Sequence, residues 1–268
     1  MNNPYVAALD FLIDAGVTVA LMDEPNDRFK PIELARDIMP SEVEGHQGKN
    51  KDTDSSIALA STHNDTTLKS HTETIAEAEK LVAECNTLDD LKTAIQNFDG
   101  LGLKKTATNL VFADGNPNAK IMVIGEAPGA DEDRQGMPFV GITGQLLDNI
   151  LKCINLSRTD NVYITNILNW RPPGNRTPTK EEMDIATPFI LKHIDLVKPD
   201  YIILCGGVAA QTLLKSKESI SRLRGKIHEL DNGITAIATY HPAFLLRTPL
   251  QKKKVWDDML MFKGLLDA

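Results

Sequence analysis

From about residue 109 onward, four short apolar runs alternate with segments of helical period, and this alternation limits the chain to very few folds. The runs are residues 121–124 (IMVI), 162–167 (VYITNI), 201–204 (YIIL) and 234–240 (ITAIATY). Each is almost continuously apolar, as expected of a strand covered on both faces, rather than alternating as in a half-exposed one. Between them, Ile142, Leu146, Leu147, Ile150 and Leu151 recur at helical spacing. Residues 180–197 read as a helix opened by Thr179, a short helix follows Gly206 and Gly207, and residues 250–266 close the chain as a helix. Strand–helix alternation of this kind predicts an α/β protein. The expected architecture is a three-layer α/β/α domain around a central, mostly parallel four-stranded sheet, with an N-terminal helical extension. Ligands of such sheets bind beyond the carboxyl ends of the strands. Polar residues at those ends are therefore the candidates for chemistry.

The first third of the chain has a different character. Val6, Leu9, Phe11, Leu12 and Ile13 suggest a helix, so residues 1–38 are read as an acidic helical extension. Residues 39–72 turn to Ser, Thr, Asp, Asn, Gly, His and Lys with few apolar anchors, and are read as a flexible linker. Residues 73–268 form the expected α/β/α domain. Residues 1–80 hold 15 Asp and Glu against 7 Lys and Arg, whereas residues 81–268 hold 22 of each. The whole net charge of −8 thus lies in residues 1–80, the N-terminal third of the chain. A neutral domain can still carry a basic groove, and Arg171, Arg176, Arg222, Arg224, Lys226, Arg247 and residues 252–254 (KKK) would supply one. No apolar stretch approaches the ~20 residues of a membrane helix, and Asp10 and Asp14 interrupt the early apolar residues where a signal peptide would need continuity. Three cysteines cannot form a disulfide framework, which suits a cytoplasmic protein.

Three loops leaving strand ends carry distinctive residues. The first run continues as Gly125-Glu126-Ala127-Pro128-Gly129 and reaches Gly136-Met137-Pro138-Phe139-Val140-Gly141. The second contains Asn166 and runs into Trp170-Arg171-Pro172-Pro173-Gly174-Asn175-Arg176-Thr177-Pro178. The fourth ends in His241-Pro242-Ala243-Phe244-Leu245-Leu246-Arg247. Taken in order, these strings resemble the uracil-DNA glycosylase superfamily, and family 4 most closely. The resemblance covers about residues 98–266.

The resemblance implies a repair enzyme that flips uracil out of DNA and hydrolyses its N-glycosidic bond, leaving an abasic site for base-excision repair. Such a base must leave the helix before it can be reached. Asn166 would recognise uracil, accepting from N3–H and donating to O4, a pattern that cytosine reverses. A pocket with such polar groups rejects the mismatched base because its own donor and acceptor go unpaired. His241 would stabilise the departing base at O2, an oxyanion-hole role. Phe139 would stack on the base. Backbone N–H groups around Gly125, Ala127 and Gly129 would contact the base or a phosphate. Glu126 either orients the attacking water or supports the base pocket through its backbone. In family 1 a carboxylate fills the slot held here by Ala127, and family 4 also lacks it. For DNA binding, Arg171, Asn175, Arg176 and Thr177 would meet phosphates. Leu245, Leu246 and Arg247 resemble the family's intercalating loop, an apolar wedge that fills the gap left by the extruded base.

Family 4 enzymes usually hold a [4Fe–4S] cluster on four cysteines. Aligned by motif, those slots contain Phe98, Leu101, Trp170 and Ala186, whereas Cys85, Cys153 and Cys205 lie elsewhere. No metal or cofactor is therefore expected, and Phe98 and Trp170 are expected to plug the space. The expected partner is uracil-containing DNA, single- or double-stranded, met by a monomer without membrane contact. The acidic N-terminus could serve a repair or replication partner. Two other functions remain open from the residues alone. One is a broader deaminated-base glycosylase, because Gly129 stands where family 1 has an aromatic that excludes the thymine methyl. The other is a non-catalytic DNA-binding or polymerase-associated module.

Overall fold

The structure, a computed structural model, describes residues 70–267. The expected N-terminal helix, and all but the end of the expected linker, lie outside the described residues. Helix α1 (His71–Ala83) begins inside the last residues assigned to the linker. Ser70 caps it, its hydroxyl accepting from the Glu73 N–H while the Glu73 carboxylate accepts from the Ser70 N–H. Helix α2 (Leu88–Asn97) starts with the same reciprocal arrangement between Thr87 and Asp90. Then come β1 (Ala113–Gly115), β2 (Ile121–Gly125), α3 (Ala130–Gln135), α4 (Ile142–Lys152) and β3 (Val162–Asn166). The rest comprises α5 (Lys180–Val197), β4 (Tyr201–Cys205), α6 (Gly207–Leu213), α7 (Ile220–Leu223), β5 (Ile227–Glu229), β6 (Thr235–Thr239), α8 (Pro242–Arg247) and α9 (Lys252–Leu266).

The four expected strands are β2, β3, β4 and β6, and they pair in parallel in the order β3-β2-β4-β6. The described sheet has six strands rather than four, because β1 and β5 add antiparallel edges beside β3 and β6. Both extra strands are three residues long and carry polar residues (ADG and IHE), too short and too mixed to show a strand period in sequence. Alternate residues of the parallel strands feed two separate cores. Met122, Ile124, Ile202, Leu204, Ala236 and Ala238 face α1, α2, α5 and α6. Ile121, Val123, Val162, Ile164, Ile203 and Ile237 face α4, α8 and α9. Two buried faces explain why these strands read as unbroken apolar runs.

The chain leaves β2 to pair β3 on one side and later returns to lay β4 on the other. Connections diverge at the carboxyl end of β2, which opens a crevice there. The register sets Gly125 of β2 beside Asn166 of β3 at its rim. No described helix is long and apolar enough to cross a membrane.

Candidate active site

A crevice of about 400 Å³ opens at those strand ends. Glu126, Ala127 and Gly129 line it from the loop after β2, and Phe139 and Thr143 from the approach to and first turn of α4. Asn166 forms part of it at the end of β3, with Asn175, Arg176 and Thr177 beyond it, and His241 and Arg247 border it from α8. The three loops singled out in the sequence therefore meet in one place.

At its floor the packing leaves no slack. A Cβ built on Gly125 would lie 2.3 Å from Asn166 Oδ1 and 2.6 Å from Phe139 Cζ, so glycine alone lets the amide and the aromatic ring share this corner. Asn166 is 2% exposed, and its Oδ1 is buried without a hydrogen-bond partner. Nearly all buried polar atoms in folded proteins are paired, and an unpaired acceptor costs on the order of 1–3 kcal/mol. An orphaned acceptor in the wall of a crevice is one that a ligand N–H would satisfy. The Phe139 ring lies 5.6 Å from that of His241, with an interplanar angle of 30°. Phe139 itself sits at φ +53°, an uncommon left-handed conformation for a bulky residue.

His241 caps α8, and its Nδ1 accepts the Ala243 N–H at 3.2 Å. An imidazole that accepts at Nδ1 carries its single proton on Nε2 when neutral. Burial, with help from the Arg247 charge, lowers its pKa from 6.5 to about 4. The site thus holds a neutral imidazole whose remaining N–H is free to donate. Behind it, the Thr239 hydroxyl donates to buried Asp258 at 2.7 Å, and Arg224 holds the same carboxylate at 2.7 Å. This network pins the strand end that delivers the histidine.

The carboxylates divide by role. Glu126 lines the crevice half-buried, and burial raises its pKa. Glu132 is buried, and its two oxygens accept N–H groups from Gly129, Val140 and Gly141 at 3.1 Å each, tying the two loops that wall the crevice. Asp133 does similar work for the backbone of Thr108 and Asn109. Neither residue stands among the candidates drawn from the sequence. The spacing Gly129-x-x-Glu132 at a helix start supplies one half of a capping box: the Glu132 carboxylate accepts the Gly129 N–H, while glycine has no side chain to return the bond.

Several expected DNA contacts are relocated. Leu245 is fully buried in the core beneath α8 and cannot reach DNA, while Leu246 is 42% exposed. Successive helical residues point about 100° apart, so one leucine faces the sheet and its neighbour faces out. Arg171 does not line the crevice: its Nε donates to Asn175 Oδ1 at 2.7 Å, and Nη1 lies 3.8 Å from Asp133. Arg176 forms a two-pronged pair with Glu182 at 2.6 and 2.8 Å, which a phosphate would have to displace. Of the broader basic set, Arg224 is committed to Asp258 and Lys252 is buried.

The four positions where the family resemblance puts cluster ligands are Phe98, Leu101, Trp170 and Ala186. All are buried in one apolar core, with Phe98 packed against Phe189 at a ring separation of 5.1 Å. Thiolate ligation requires sulfur at those points, so these residues do not fit an iron–sulfur cluster.

An α/β/α domain whose amide, aromatic ring and neutral imidazole converge beyond a parallel sheet has a clear counterpart among known proteins. Residues 112–260 match the Uracil DNA glycosylase superfamily, and the chain belongs to it. Its similarity lies with the type-4 enzymes. It is 40% identical over 179 residues to the type-4 uracil-DNA glycosylase of Archaeoglobus fulgidus, spanning 64% of this chain and 89% of the relative. It is 37% identical over 184 residues to that of Pyrobaculum aerophilum, spanning 66% and 93%. For the Thermotoga maritima enzyme the match is 41% over 141 residues, spanning 52% and 73%.

Proposed function

We propose that this crevice excises uracil from DNA by hydrolysing the N1–C1′ bond of an everted nucleotide, the first step of base-excision repair. The observation that carries this reading is the buried, unpartnered Asn166 Oδ1 set beside Phe139 in the crevice wall. Uracil N3–H supplies the missing donor, while cytosine offers a lone pair at the same place and leaves Oδ1 unsatisfied. Discrimination by a buried unpaired group reaches factors of 10⁴ or more. Phe139 stacks on the base, and sandwiching of this kind contributes about 1–3 kcal/mol.

As the glycosidic bond breaks, negative charge builds on the uracil and positive charge on the sugar. His241 donates its Nε2 proton in a hydrogen bond to the developing O2 anion. A neutral donor does this without transferring its proton, and its Nδ1 stays fixed by the Ala243 N–H. Glu126, the crevice carboxylate left free of the backbone ties that hold Glu132, orients the water that attacks C1′. Arg247, Arg176 and Thr177 receive the DNA backbone, and exposed Leu246 fills the gap in the stack. No step runs through a cluster, and we infer that the protein holds none. Phe98 and Trp170 take that space as part of the core. Stoichiometric iron in protein purified without oxygen would overturn this inference.

The chain acts on single- or double-stranded DNA as a cytoplasmic monomer, with the acidic residues ahead of the domain as a contact for a repair or replication partner. The decisive assay incubates the full chain with an oligonucleotide bearing one uracil, then cleaves abasic sites with alkali. Strand scission at uracil by the wild type, lost in Asn166→Ala, is expected. No scission by the wild type, with tight DNA binding retained, would favour a non-catalytic module. Parallel oligonucleotides with hypoxanthine or xanthine test the broader deaminated-base activity.

A further inference from the structure

We propose that Arg158, a residue outside the crevice, is a positioning residue that locks Phe139 in its base-stacking orientation. This rests on the reading of the crevice as a uracil pocket. Arg158 lies in the connection between α4 and β3, and its side chain is 17% exposed. Its guanidinium makes four hydrogen bonds and one further ion-pair contact. Nε and Nη2 reach Asp148 Oδ1 at 2.9 and 2.8 Å, and Nη1 donates to Asp114 Oδ2 at 2.7 Å. The remaining two go to consecutive backbone carbonyls: Nη1 to Pro138 O at 3.3 Å and Nη2 to Phe139 O at 2.8 Å.

Those two carbonyls belong to the turn that aims the Phe139 ring. The residue is in left-handed backbone, a conformation that a bulky side chain holds only when its surroundings impose it. One constraint is steric. A Cβ on Gly144 would come within 1.8 Å of Phe139 O, so the carbonyl is pressed against the first turn of α4. The other is Arg158, which takes up the carbonyls that this conformation turns inward. The two carboxylates hold the guanidinium from β1 and α4, so the fork is itself fixed before it grips the turn. Lysine has three donors and no planar fork and cannot reproduce the pattern.

Misplacement of a stacking group by about 1 Å costs on the order of 10²-fold in rate, which sets the scale of the test. The wild type, Arg158→Gln, Arg158→Lys, Phe139→Leu and the double variant Arg158→Gln/Phe139→Leu are assayed on uracil-containing single strands, each well below its own melting temperature. Arg158→Gln and Arg158→Lys are expected to lose about 10- to 100-fold in kcat/KM. In the Phe139→Leu background, Arg158→Gln is expected to add no more than about twofold, because its effect passes through that ring. Inhibition by free uracil should weaken in parallel, while affinity for abasic-site DNA stays within about twofold. A merely structural role would move neither ratio. Losses that multiply independently, or folded Arg158 variants with wild-type rates, overturn the proposal. Should the Arg158 variants not fold, Asp148→Asn, which loosens the fork from its exposed side, is expected to show the same coupling with Phe139→Leu, and its absence is equally fatal. A wild type inactive on uracil is a separate failure: it removes the reading of the crevice and this proposal with it.

Discussion

Lowering the pH of the excision assay from 7 toward 4 probes the His241 imidazole directly, because the two possible charge states of this group predict opposite profiles. With its pKa lowered to about 4 by burial and by Arg247, about one molecule in a thousand is charged at pH 7 and only about 3% at pH 5.5. A histidine at the ordinary value would be about 90% charged at pH 5.5. A neutral donor therefore predicts a kcat/KM that His241 leaves flat from pH 7 to 5.5 and depresses only near pH 4. Protonation at Nδ1 would break the Ala243 contact and turn the ring. Glu126 adds a second acid limb above the usual carboxylate range, since burial raises its pKa and the water-orienting form is the ionised one. Glu126→Gln should lower the rate and remove that limb, leaving the His241 limb in place. His241→Ala at pH 7 should cost about 10²–10³ in kcat, the usual effect of deleting an oxyanion donor. The measurements use single-stranded substrate at constant ionic strength, with circular dichroism at each pH to confirm the fold. A rate that climbs as pH falls through 6.5 would show that the cation does the work and would refute the neutral-donor mechanism.

Other expectations follow from the same contacts. His193 is buried against Tyr163 OH at 2.9 Å, and burial lowers its pKa to about 3. Between that value and 6.5 the unfolded chain binds the proton first, so this contribution to stability is complete above pH 6.5 and is lost as pH falls toward 3. The loss is at most about 3–5 kcal/mol, read as a falling urea midpoint that His193→Phe should flatten; an unchanged slope would contradict it. Gly125→Ala should abolish excision while the protein stays folded, because its methyl needs the space of Asn166 Oδ1 and Phe139 Cζ; an active variant would disprove the crowding. Leu245→Ala should cost about 2–5 kcal/mol of stability, measured by denaturant melts. Leu246→Ala should stay within about 0.5 kcal/mol of wild type yet weaken excision from duplex more than from single strands. The reverse pattern would restore Leu245 as the wedge.

The layered α/β/α architecture was legible because its signals are local. A strand buried on both faces must be apolar at every position, and a helix over a sheet must repeat its apolar residues every three or four, so β2, β3, β4, β6 and the helices α4, α5 and α9 announce themselves in short windows. Asn166 and His241 stood out by the same logic, as polar residues at the carboxyl ends of apolar strands. The edge strands β1 and β5 did not, since three residues with one face open to solvent leave no period to detect. Other features depended on groups distant in the chain. Which of Leu245 and Leu246 is buried and which exposed is decided by the rotation of one helical turn over the core, and whether Arg176 is a free cation is decided by where Glu182 falls. Arg158 draws its partners from 44, 20, 19 and 10 residues away. Periodicity is a property of neighbouring residues and survives in the linear text. Convergence of side chains on one point, and the burial that sets the charge on His241, exist only after the chain has closed around them.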